Sequence, residues 1–167
     1  MLPTCLNSDI RRQDRVMNED EARELLRNGE YGFLAMQAVE GGGYGLPLTY
    51  AWDAERNAVY IHCAPEGRKL RCLAAEPRVS FCIVGRTHIL PEQFTTEYQS
   101  LLLFGRATAE LDETERMHAL ELILQKHCAH IVETGRKFAA ASFHRTRAIR
   151  IDIEAWSAKT KKTAPHA

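Results

Sequence analysis

The residues best suited to chemistry in this chain lie in one short stretch, His62-Cys63-Ala64-Pro65-Glu66-Gly67-Arg68-Lys69. A histidine closes a run of strand-forming residues. A glycine, an arginine and a lysine follow where a short helix should begin. Free N–H groups at a helix start, with two cations beside them, suit a phosphate. A ring held there by its phosphate would lie back along the strand, next to His62. An imidazole titrates near neutral pH, so it can donate a hydrogen bond or a proton to whatever reacts beside it. The stretch therefore points to a phosphate-bearing small-molecule cofactor.

Other apparent constellations carry less. His127, Cys128 and His130 are spaced one and three apart, which on a helix does not converge ligands around a single thiol, so no metal site is expected. His88, His118 and His144 stand alone. Gly41-Gly42-Gly43 lacks the strand–loop–helix setting of a dinucleotide fingerprint and reads as a hairpin turn. No G-x-x-x-x-G-K-[ST] loop and no serine–histidine–acid order occurs.

The elements that must position the histidine and the two cations follow from patterning. Asn18 with Glu21 forms a capping box for a helix through Arg27, ended at Gly29. Strands are predicted over 31–38, 44–52, 58–64, 78–90 and 98–111, with a short helix over 65–75. Asp112 and Glu115 cap a longer helix bearing Met117, Leu120, Ile123 and Leu124, and 130–147 reads as irregular or partly helical. Residues 148–156 alternate as a last strand. Tight turns between strands, with helices at the ends, imply an antiparallel barrel.

Strand parity sorts the faces. Val59, Ile61 and Cys63 belong to the core, leaving Tyr60, His62 and Ala64 on an open face. Leu46, Leu48, Tyr50 and Trp52 share one face, and Pro47, Thr49 and Ala51 the other. Tyr31, Phe33, Phe81 and Phe104 read as packing residues of the barrel and an interface.

Composition bounds the rest. A chain of 167 residues that is 45% hydrophobic is one ordinary globular domain. Its net charge of zero gives no field to attract nucleic acid or a membrane surface. No apolar run could span a bilayer, and Asp9, Arg11, Arg12 and Asp14 arrive before any hydrophobic secretion segment. Five cysteines without a C-x-x-C pair suit reduced thiols in a cytoplasmic protein.

Taken in order, several pieces resemble the pyridoxamine-phosphate-oxidase-like FMN-binding split-barrel family, in particular the branch with nitroimidazole-resistance reductases. They are Tyr31-Gly32-Phe33-Leu34-Ala35, Leu46-Pro47-Leu48-Thr49-Tyr50, Tyr60-Ile61-His62 with Gly67-Arg68-Lys69, Tyr98-Gln99-Ser100 with Phe104-Gly105-Arg106-Ala107, and Ile151-Asp152-Ile153. The resemblance implies a mainly β fold with flanking helices, an antiparallel, Greek-key-like split barrel in one domain over 16–160. Residues 1–15 are expected as a loose arm and 161–167 as a disordered tail.

It implies FMN at the seam of a homodimer. Arg68 and Lys69 would hold its phosphate, with Pro47, Leu48, Thr49 and Tyr50 beside the ring and Tyr60 and His62 near it. Gln99 and Ser100 would complete the site from the partner subunit, and Trp156 would stand near the flavin. The implied activity is reduction of a small organic acceptor such as a nitroaromatic, with His62 as the catalytic residue. The electron donor is open, a nicotinamide cofactor being one candidate. The alternatives are a flavin carrier or sensor without turnover, and a haem-binding split barrel.

Overall fold

The computed structural model describes residues 1–163. Among them, eight strands form one sheet: β1 (Thr4–Cys5), β2 (Tyr31–Gln37), β3 (Gly43–Thr49), β4 (Ala51–Asp53), β5 (Ala58–Cys63), β6 (Arg78–Leu90), β7 (Thr95–Thr108) and β8 (Arg147–Lys161). Helices α1 (Glu19–Asn28), α2 (Arg68–Ala75), α3 (Glu113–His127) and α4 (Val132–Ser142) flank it. The sheet runs in the order β3-β2-β6-β7-β8-β5-β4, with β1 set parallel against β8 and every other ladder antiparallel. The expected antiparallel split barrel with flanking helices is the fold.

The connection between β3 and β4 explains the curl of the sheet. These strands occupy opposite ends of the order, yet Tyr50 alone separates them in sequence. The sheet must therefore bend round until its two edges meet at Tyr50. The predicted single strand over 44–52 is broken at this corner. Tyr50 is fully buried there; its hydroxyl donates to the Leu26 carbonyl at 2.7 Å and its ring meets Phe81 edge-on at 5.2 Å.

Alternation along the strands builds the core inside this curl. Leu34, Phe81, Leu103, Ile61, Ile149 and Ile151 are all buried. Helix α1 closes one end through Ala22, Leu25 and Leu26, and starts at the Asn18–Glu21 capping box read from the sequence. The residues predicted as irregular or partly helical contain α4, whose Gly135 lies against Leu124 of α3.

Three expectations are corrected. The N-terminal arm is not loose: Thr4 and Cys5 pair with Ala155 and Trp156, and Leu2, Ile10 and Met17 are buried. These apolar side chains are scattered without a period, so no pattern announced their burial. Residues 161–163 of the expected tail are held in place, because β8 runs to Lys161 and Thr163 donates to Glu97 from both its N–H and its hydroxyl at 2.7 Å. The remaining tail residues, 164–167, lie outside the described residues.

The third correction concerns parity. Ile149, Ile151 and Ile153 point inward from β8, but Phe104 pairs with Ala155 and Gly105 with Ile153, so Glu154 is an extra residue. Such a bulge reverses the facing of everything after it. Trp156 and Ala158 therefore turn inward, and Trp156 is a core residue under the N-terminal arm, its Nε1–H donating to the Pro3 carbonyl at 3.2 Å. The backbone approach at the bulge demands glycine opposite it, since a Cβ on Gly105 would lie 1.9 Å from the Asp152 carbonyl oxygen.

Candidate functional site at the barrel seam

A second, smaller core covers the outer side of β4, β5 and β8. Helix α3 lays Ala119 there against Ala58, Tyr60 and Ala148. The face assigned to Tyr60 and His62 is thus open only at its end. Tyr60 is buried, and its hydroxyl donates to Glu115 at 2.7 Å, a carboxylate also held by Arg150 at 2.7 Å and Arg56 at 3.1 Å. Burial, with the Glu115 charge behind it, pushes the Tyr60 phenol up to about 12. Tyr60 is therefore a structural anchor for α3 and lies away from any open cleft.

His62 is the first residue of that face to emerge. It pairs across the ladder with Ala148 and stands exposed at the end of β5. Desolvation by the surrounding protein lowers its pKa, and the charge of Lys69 and the neighbouring His127 act in the same direction. A neutral imidazole that carries one N–H is the favoured form there at pH 7. Next to it, burial raises the Cys63 thiol against the opposing pull of Lys69 and Arg147.

The phosphate-suited stretch forms as the sequence predicted, with α2 opening at Arg68. Its N-cap, Gly67, adopts φ 138°, a conformation side chains rarely take, and no side-chain cap occupies the first N–H groups. A Cβ on Gly67 would meet nothing within 4 Å, so the approach is open. The two cations divide, however. Arg68 pairs with Glu40 of the β2–β3 turn and lies over the Tyr44 ring, 4.5 Å from its centroid. Lys69 instead acts on the His62–Cys63 side. A phosphate at this helix start fits Lys69 and the backbone N–H groups directly, and fits Arg68 after it leaves Glu40.

Strand β3 splits by parity. Pro47 and Thr49 are exposed on the outer face, whereas Leu46 and Leu48 pack on the core and Tyr50 is sealed in it. Thr49, Tyr31, Val84 and Ser100 lie in one row across β3, β2, β6 and β7. Ser100 thus faces the same outer side as Thr49 but three strand spacings away, about 14 Å. Gln99 turns the other way and packs its side chain against Gly85 at the barrel mouth. Within one chain the structure gathers His62, Lys69, Thr49 and the Tyr50 backbone at the seam. Trp156, Tyr60, Gln99 and Ser100 are not among them.

Two residues of the seam had no sequence signal of their own. His127, set aside with Cys128 and His130 as a poor metal motif, bonds through Nε2 to the Tyr50 carbonyl at 2.9 Å. A carbonyl only accepts, so this Nε2 carries the hydrogen. Its neighbour Lys126 places Nζ 3.6 Å from the centroid of the Tyr50 ring. The likewise isolated His118 bonds to Asp53 Oδ2 at 2.7 Å and meets Tyr60 edge-on, a tie between α3 and β4. Among the described residues, no group of three or more His, Cys, Asp or Glu side chains could hold a metal, and no helix is long and apolar enough to cross a membrane.

An eight-stranded curled sheet with flanking helices, its two edges meeting at Tyr50, defines a split-barrel protein. The family model described as pyridoxamine 5'-phosphate oxidase matches residues 18–160, and the chain belongs to that family. Comparison with curated proteins returned no match. Among solved structures the chain is similar to a putative 5-nitroimidazole antibiotic resistance protein from Bacteroides thetaiotaomicron (TM-score 0.70, 15% identity, covering 87% of this chain and 86% of that one). It is similar to a FAD-binding protein from Mesorhizobium loti (0.64, 24%, 89% and 98%). It is also similar to a FAD and heme binding protein from Mycobacterium smegmatis (0.70, 16%, 92% and 76%). At these identities the likeness is one of fold.

Proposed function

We propose that this chain is an FMN-dependent oxidoreductase that works as a cytoplasmic homodimer and reduces a small organic acceptor such as a nitroaromatic. The observation that carries the reading is the uncapped, side-chain-free start of α2 at Gly67, close enough to the end of β5 for the charge of Lys69 to be felt at His62. A flavin phosphate satisfies those N–H groups and the lysine together. Binding flavin by name are one solved relative with FAD and another with FAD and heme. FMN is preferred here because the site offers one phosphate position.

The flavin, when bound, would supply two electrons per turnover, replenished by an external electron donor, a nicotinamide cofactor being one candidate. Converting a nitro group to a nitroso group takes those two electrons and two protons and releases one water. The chain's own residues bind and orient. Pro47 and Thr49 offer a flat flank, and neutral His62 donates its N–H to an acceptor oxygen. Desolvation, with the charge of Lys69 behind it, disfavours the imidazolium and keeps that donor neutral at pH 7.

The homodimer rests on the outer face of the sheet. Tyr31, Phe33 and Val84 are 58%, 46% and 56% exposed, in a patch with Pro47 and the half-buried Cys82, Leu102 and Phe104. A second copy on this face would cover the patch and bring its Ser100 toward the first copy's Thr49.

The test is the absorption spectrum of the purified protein and the mass of what it releases on denaturation. Flavin bands with a released mass of FMN are expected. A haem spectrum, or a colourless protein that takes up no added FMN, would overturn the reading.

A further inference from the structure

A cavity of about 500 Å³ lies beside the seam, lined by Arg27, Glu30, Tyr31, Thr49, Lys126 and His127. Its most unusual member is Lys126. The ammonium is buried, has no hydrogen-bond partner among the described residues, and rests on the face of Tyr50. A ring face attracts a cation but accepts none of its hydrogens in the way an oxygen does. Its three N–H donors therefore have no acceptor among the described residues. Buried charges are nearly always paired, so this one calls for an anion from outside the chain.

The neighbours narrow the class. His127 is fixed by the Tyr50 carbonyl through Nε2, which leaves Nδ1 free to accept or, once protonated, to donate. Arg27 adds a second cation, held over Trp52 at 5.7 Å from the ring centroid, against the single carboxylate of Glu30. Tyr31 and Thr49 supply an aromatic wall and a hydroxyl. The net charge is positive, the wall suits a planar group, and the volume accommodates an aromatic ring with its substituents.

We propose that this cavity is the acceptor subsite and that it takes small aromatic carboxylates, with Lys126 as the residue that receives the carboxylate. The assignment rests on the flavin reading for its catalytic role but not for binding itself. Thr49 borders both the cavity and the proposed ring flank, and His127 lies within electrostatic reach of His62. A carboxylate seated on Lys126 would hold the rest of the ring toward that imidazole.

The test is calorimetric titration of the purified protein, flavin-free and FMN-loaded, with benzoate and with its neutral isostere benzamide. Benzoate is expected to bind about tenfold or more tightly than benzamide, the value of one charge-assisted contact. Lys126→Met should abolish that preference and Lys126→Arg should retain it. Equal binding of the two probes, no binding at millimolar benzoate, or an unchanged preference in Lys126→Met would overturn the proposal. The wild-type ratio needs no variant to fold. Failure of FMN uptake with intact benzoate preference would sink the flavin reading alone; FMN uptake without carboxylate preference would sink this one alone.

Discussion

Lys126 Nζ sits 3.6 Å from the centre of the Tyr50 ring, at the corner where the two edges of the sheet meet. Tyr50 is itself pinned, its hydroxyl to Leu26 and its carbonyl to His127. The cation therefore rests on a platform tied to α1, α3 and both edge strands. Burial brings its pKa down to about 8 from 10.5.

That shift has a sign. A base whose pKa falls on folding binds its proton more weakly in the native state than in the unfolded chain. Stability should thus rise with pH between about 8 and 10.5, by at most about 3 kcal/mol, and be flat in this respect below 8. Lys126→Met should lack the rise and be more stable than the parent at pH 7. Urea unfolding at pH 7 and pH 10 checks this, and an identical pH profile in the variant would refute it.

The division of labour at α2 predicts unequal phosphate contributions. Lys69→Ala should weaken FMN binding by about tenfold or more. Arg68→Ala should cost less, because Arg68 must give up Glu40 before reaching a phosphate. Glu40→Gln should then tighten FMN through Arg68. Quenching of flavin fluorescence on titration measures all three; a larger loss for Arg68→Ala would reverse the assignment.

Crowding at the β8 bulge predicts a fold effect. Gly105→Ala should destabilise by about 3 kcal/mol, since the new methyl meets a backbone oxygen that has no rotamer to escape into. By contrast Gly42→Ala, where nothing lies within 4 Å, should cost less, through its positive φ alone. Thermal melts of the two variants separate the effects.

The outer patch predicts an association effect. Val84→Arg, on the exposed side of β6, should leave the barrel folded and convert a species of twice the chain mass into one of chain mass. Sedimentation equilibrium reads this directly. A wild-type protein already monomeric at micromolar concentration would remove the homodimer.

Much of the architecture was legible because its causes are local. Asn18 with Glu21, and Asp112 ahead of α3, are capping signals completed within three residues, and both cap as read. Alternation placed Val59 and Ile61 inside, because a strand's two faces follow from its own sequence. The run from His62 to Lys69 joins a strand end to a helix start, so its few links sufficed to bring imidazole and lysine together.

What failed to show was set by pairing between distant segments. Trp156 was expected near the flavin, but the extra Glu154, visible only against Phe104 and Gly105, turns it into the core. Tyr60 looked open until α3 settled over it from more than fifty residues away, with Glu115 accepting its hydroxyl proton. Lys126 and His127 carried no motif, since their meaning lies in Tyr50, 77 positions from His127 along the chain. Chain order alone determined the elements, their caps and the cationic turn beside His62. Curling of the sheet decided which side chains share the seam, because a ladder's register and a helix's docking are long-range choices that no local pattern encodes.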